Sequence, residues 1–146
     1  MNQSLNEFIE ALNPQCASAG ISFTRWPKSR HPSLSIVELV AQARRTLAYI
    51  KVRNARRGFW GLNPNQLREM EDSTRPWCLI LLHGTGRTGF FLPSRVVNNA
   101  TGTSWHPGHD TEFKVNENAV VTLAKAQAQS YSVLHNQLIE FARAVG

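Results

Sequence analysis

Residues 47–62, LAYIKVRNARRGFWGL, constrain this chain more than any other stretch. They begin as an apolar strand, carry Lys51 and Arg53 at alternate positions, turn through Asn54-Ala55-Arg56-Arg57-Gly58, and return to an apolar phase at Phe59-Trp60. Alternation puts Lys51 and Arg53 on one face of that strand. Burying two cations without partners is costly, so the stretch marks an exposed working face or a site.

The remaining chain supplies the frame. Leu5, Phe8, Ile9 and Leu12 follow helical spacing behind Ser4 as N-cap, and Asn13-Pro14 reads as the stop. Residues 21–24 alternate as a short strand. Residues 26–33, with two prolines, read as loop. Residues 34–39 and 46–52 are rich in β-branched and aromatic side chains and read as a hairpin turning through Ala43-Arg44-Arg45. One amphipathic helix over 35–50 is the alternative. Residues 59–62 predict another strand. Asn63-Pro64 then caps a helix whose Leu67 and Met70 face inward. Residues 77–82, WCLILL, predict a buried central strand that turns through a glycine-rich loop into 90–92. A short helix follows from Pro93-Ser94 through Val97, and residues 111–115 alternate as an edge strand. From about 117 to 144 a heptad-like seam (Ala124, Gln127, Tyr131, Leu134, Leu138, Phe141 and Val145) predicts one long helix. That helix packs on the sheet or serves a homodimer. The whole reads as one domain over 1–146, with a core of about 4–115.

Charge narrows the function. The formal net charge is +6, and between Arg25 and Arg57 stand nine basic residues against one acid, Glu38. They are Arg25, Lys28, Arg30, Arg44, Arg45, Lys51, Arg53, Arg56 and Arg57. Twelve of the 16 basic residues are arginine, whose planar fork suits phosphate or carboxylate. A basic patch that meets nucleic acid is the expectation, against solvated surface charge as the plainer reading. Trp26, Phe59 and Trp60 flank the window; they pack in the core or stack on bases.

Other motifs carry less. Gly84-x-Gly86-x-x-Gly89 leads into strand rather than helix, so it reads as a hairpin turn and not a dinucleotide loop. His106-Pro107-Gly108-His109-Asp110 with Glu112 holds metal-type ligands but reads as a surface loop. Neither a cofactor nor a metal is expected. Cys16 and Cys78 read as free buried thiols. The opening MNQSLNEFIEAL lacks the basic start and apolar core of a signal peptide, and a cytoplasmic location is expected. No apolar run approaches membrane-span length.

In element order, and in the strings AYIKVRN and GFFLPSRVV, residues 4–98 resemble the PD-(D/E)xK nuclease-like (restriction-endonuclease-like) superfamily. The resemblance implies an α/β fold, a mixed sheet with a central β-hairpin flanked by N- and C-terminal helices. It also implies where an active site should lie. With IKVR set on the family's IEVK, Lys51 takes the place of the metal-binding Glu, Arg53 that of the Lys, and the Asp position falls near Ser35. In the other register Lys51 stays as the catalytic lysine, Glu38 is the acid and Tyr49 replaces the second acid. Magnesium-assisted hydrolysis needs carboxylates, and neither register supplies enough of them. The expected function is therefore a non-catalytic nucleic-acid-binding protein, a pseudo-enzyme on a degenerate nuclease-like fold. The alternatives are an interaction module (inhibitor, immunity or accessory subunit) docking on an acidic protein partner, and a residual Mg-dependent nuclease using Glu38 and Lys51.

Overall fold

The computed structural model describes residues 3–26, 36–53, 58–101 and 113–144. In chain order they form α1 (Gln3–Ser18), β1 (Ile21–Arg25), β2 (Ile36–Ala41), β3 (Arg44–Val52), β4 (Phe59–Leu62), α2 (Pro64–Asp72) and β5 (Trp77–Leu82). Then come β6 (Thr88–Pro93), α3 (Ser94–Thr101), β7 (Phe113–Asn116), α4 (Glu117–Ala124), β8 (Gln129–Ser130) and α5 (Tyr131–Arg143).

The six side chains of β5 are all buried. Trp77, Leu79 and Leu81 enter one core; Cys78, Ile80 and Leu82 enter the other. A strand covered on both faces has no polar phase, which is why its sequence is unbroken apolar. The sheet around it has the order β1-β2-β3-β5-β6-β8. Among the described residues, only the β3–β5 pairing of this sheet is parallel. The connection between those two strands carries β4 and α2, as a parallel crossover requires.

The β2–β3 hairpin forms as expected, with Ala41 opposite Arg44 and Ile36 opposite Tyr49. The helical alternative over 35–50 does not occur. The turn lies at Gln42-Ala43, one step earlier than the sequence suggests, and Gln42 takes φ +56°. Arg44 and Arg45 are therefore strand residues on opposite faces. Leu47 and Tyr49 face a layer built by α2, α3, α4 and a separate two-stranded ribbon of β4 with β7. Thus β7 is not an edge of the main sheet. Ala48 and Ile50 face the layer of α1 and α5.

Two helix expectations are corrected. α1 does not stop at Pro14 but continues to Ser18. Phe8, Leu12 and Cys16, four apart, form one buried stripe, and its burial outweighs the single hydrogen bond that Pro14 cannot donate. The chain leaves the helix through a turn at Ala19-Gly20, with Gly20 at φ +74°. Nor do residues 117–144 form one helix. Asn116 caps α4 by accepting from Ala119 N–H at 2.9 Å, and Lys125 ends it at φ 54°. Ser130 caps α5, accepting from Val133 N–H at 3.3 Å. Tyr131, Leu134 and Leu138 of α5 pack on α1 and the sheet, so the seam proposed for a homodimer is spent inside the molecule.

In the β5–β6 turn, Gly86 has φ +81°, as a glycine turn demands. Gly89 is needed for another reason: a Cβ there would lie 2.3 Å from the Leu81 carbonyl oxygen. Both cysteines are free and buried; burial pushes the Cys16 thiol up to about 11 and that of Cys78 up further. Among the described residues, no helix is long and apolar enough to cross a membrane.

Candidate functional site

The parallel strands β3 and β5 end side by side. Arg53 N–H donates to the Leu82 carbonyl at 2.8 Å, and the same carbonyl accepts the Trp60 indole N–H at 2.9 Å. That junction fixes where the next side chains go. Arg53 reaches over the Trp60 ring, 5.4 Å from its centroid, and its Nη1 lies 3.3 Å from Glu117 Oε1. His83, the first residue after β5, donates from Nε2 to the same carboxylate oxygen. With Nε2 carrying the proton, Nδ1 accepts the Thr88 hydroxyl at 2.7 Å. The His83 ring leans on Trp60 and Phe90, with centroids 5.7 and 5.9 Å away. Arg53, His83, Glu117 and Thr88 thus form one hydrogen-bonded group at the end of the sheet, partly open to solvent.

Lys51 stands one pleat back on the same face, its ammonium 5.8 Å from the Tyr49 ring. The Tyr49 hydroxyl donates to Gln66 Oε1 at 2.6 Å, which commits Tyr49 to the core. Lys51 and Arg53 do share a face, as their spacing predicts. Glu38 does not join them. It lies opposite Leu47, four residues before Lys51, so at ~3.3 Å per residue the two stand about 13 Å apart along the strand. Glu38 is buried and held by Arg45 at 3.3 Å and by Arg75. A carboxylate already bound by two arginines is committed to that ion-pair group and is not a metal ligand in waiting. The structure thus pairs Glu38 with Arg45 and Arg75 and does not bring it up to Lys51.

The remaining basic residues scatter. Arg44 lies on the opposite face and donates to the Phe141 carbonyl at 3.3 Å, near the C-terminal end of α5. Arg25 is exposed at the end of edge strand β1. Lys28, Arg30, Arg56 and Arg57 lie outside the described residues, as does the 106–112 histidine loop. The described arginines of the basic window therefore do not make one continuous patch. Trp60 and Trp26 are buried, so neither is free to stack on a base.

Sequence reasoning did not assemble His83, Glu117 and Thr88, which lie far apart in the chain. One signal was there. A histidine directly after a fully apolar strand must sit at the rim of the sheet. Among the described residues, no group of three or more His, Cys, Asp or Glu is placed to hold a metal ion.

No family model matches the chain, and no curated protein sequence matches it significantly. Solved structures do. Hjc, a Holliday junction resolvase from the archaeal hyperthermophile Archaeoglobus fulgidus, aligns over 90% of this chain and 94% of its own, with TM-score 0.53 and 11% sequence identity. The likeness is one of fold: a restriction-endonuclease-like α/β architecture with a central mixed sheet and flanking helices.

Proposed function

We propose that this chain binds nucleic acid through backbone phosphates, on a nuclease-like scaffold, and does not cut it by the carboxylate–metal chemistry that the scaffold resemblance implies. The observation that carries this reading is the pair Lys51 and Arg53 on one face at the end of β3. In one of the two registers that the resemblance allows, they take the places of an acid and a lysine. A cation at the acid's place repels a metal ion and attracts phosphate. Glu117, the nearby carboxylate, is engaged by Arg53 and His83. The fold likeness to a Holliday junction resolvase makes branched DNA the first ligand to try. Arg25, Arg44 and Arg45 add charge elsewhere on the surface, and Lys28, Arg30, Arg56 and Arg57 belong to the proposal on sequence grounds.

The test is fluorescence anisotropy with a labelled four-way DNA junction, a duplex, a single strand and an RNA of matched length. Binding should be measurable at about 50 mM salt and fall steeply toward 200 mM, because cation–phosphate contacts release counterions. Arg53→Ala should weaken binding and reduce the log–log salt slope by about 1. With Mg²⁺ or Mn²⁺ added, the DNA should stay intact. Absence of binding to all four ligands at low salt would sink the reading. Metal-dependent cleavage would sink its non-cutting half.

A further inference from the structure

Beside Arg53 the molecule has an open cavity of about 620 Å³, between the start of α1, the β5–β6 turn and the start of α5. The Ser4 hydroxyl donates to the Gly84 carbonyl at 3.1 Å and ties α1 to the turn. Arg53 lines one wall, Tyr131 another, and Arg87 stands at the turn. Arg87 has φ +51°, a conformation that disfavours every residue type but glycine and, to a lesser degree, asparagine and aspartate. Glycines already fill two positions of this turn, Gly84 and Gly86, yet an arginine takes this one. Its side chain is 76% exposed, and its Nε lies 3.4 Å from Glu7 Oε2, itself 35% exposed. Such a solvated ion pair is weak and easily exchanged. Tyr131 adds a hydroxyl. Its phenol is pushed up, first by burial and then by the Glu7 carboxylate, with a hydrogen bond to Ser4 and the Arg87 charge opposing.

Given the nucleic-acid binding proposed above, we infer that this cavity takes one backbone phosphate of a bound strand, gripped by the Arg87 guanidinium, with Glu7 as the internal competitor that the phosphate displaces. Gln42, Thr74 and Lys125 are left-handed too, so the conformation of Arg87 is a cost that phosphate binding would offset, and the site itself rests on the cavity and its donors. The Arg87 guanidinium and the Tyr131 phenol supply the charge and the donors a phosphodiester oxyanion needs, with Arg53 on the adjoining wall and Glu7 as the carboxylate it must displace.

The anisotropy assay above tests this with three variants. Arg87→Gly relieves the left-handed backbone, so it should unfold thermally no earlier than wild type while losing about tenfold in affinity and about 1 unit of salt slope. Glu7→Gln should bind severalfold more tightly. Arg68→Ala, an exposed arginine on α2 remote from the cavity, should leave both readouts unchanged. Wild-type affinity in Arg87→Gly overturns the inference and leaves the general reading standing. An equal loss in Arg68→Ala reduces the effect to net charge and also overturns it. Thermal stabilisation of wild type by inorganic phosphate, with strand affinity unchanged in Arg87→Gly, assigns the cavity to a free anion and overturns it too. Failure of the wild type to bind any strand overturns the parent reading.

Discussion

His135 lies buried between α1 and α5 as a neutral imidazole. Its Nε2 donates to the Phe8 carbonyl at 3.1 Å, and its Nδ1 accepts from the Gln15 amide at 3.2 Å. Burial lowers its pKa, with the Phe8 hydrogen bond opposing. The folded chain therefore binds this proton less readily than the unfolded chain, whose imidazole titrates at about 6.5. Stability from this group is full above about pH 6.5 and is lost as pH falls below that value toward the depressed folded pKa. Urea unfolding should show a lower midpoint at pH 5.5 than at pH 7.5. In His135→Gln that difference should shrink, although the variant is less stable at both pH values. Glu38 shows a different lesson. As the lone acid in a basic window it invited a chemical role, but its partners were readable only in part. Arg45 is its hairpin neighbour, while Arg75 arrives from the segment before β5. Sequence spacing reveals the first kind of neighbour and conceals the second.

The elements divide along the same line. The β2–β3 hairpin, the capped helix α2 and the β5–β6 hairpin were readable because propensity, turn residues and capping agree locally. Asn63 accepts from Asn65 N–H at 2.8 Å with Pro64 at the helix start, as the sequence pattern requires. The break between α4 and α5 was not readable. Residues 125–128, Lys-Ala-Gln-Ala, contain no glycine or proline, and the spacing of apolar residues runs on across them. The break exists because the chain must pass from one face of the sheet to the other, a tertiary demand with no local mark. Lys125 bears its cost in the left-handed region. Lys125→Gly should therefore stabilise the protein by about 1 kcal/mol, measured by chemical denaturation. A loss of stability instead would mean that the Lys125 side chain contributes more than its backbone costs.

In the whole molecule, the site followed from the fold more than from any motif. Lys51 and Arg53 were visible as a charged pair on one strand face. His83 from the end of β5 and Glu117 from the start of α4 gather beside Arg53 only because β3 and β5 run parallel and end together. The segment from Lys125 to Ser130 has a further consequence. It rounds the β6 edge, so that α4 closes one core and α5 closes the other. The two layers are strapped together by one short piece of backbone, and neither can peel away without pulling on its counterpart. Unfolding should accordingly be a single cooperative event. Trp26, Trp60 and Trp77 all lie in one layer, whereas far-UV circular dichroism reports both. Their urea transitions should coincide, and separated midpoints would show that the strap does not couple the two halves.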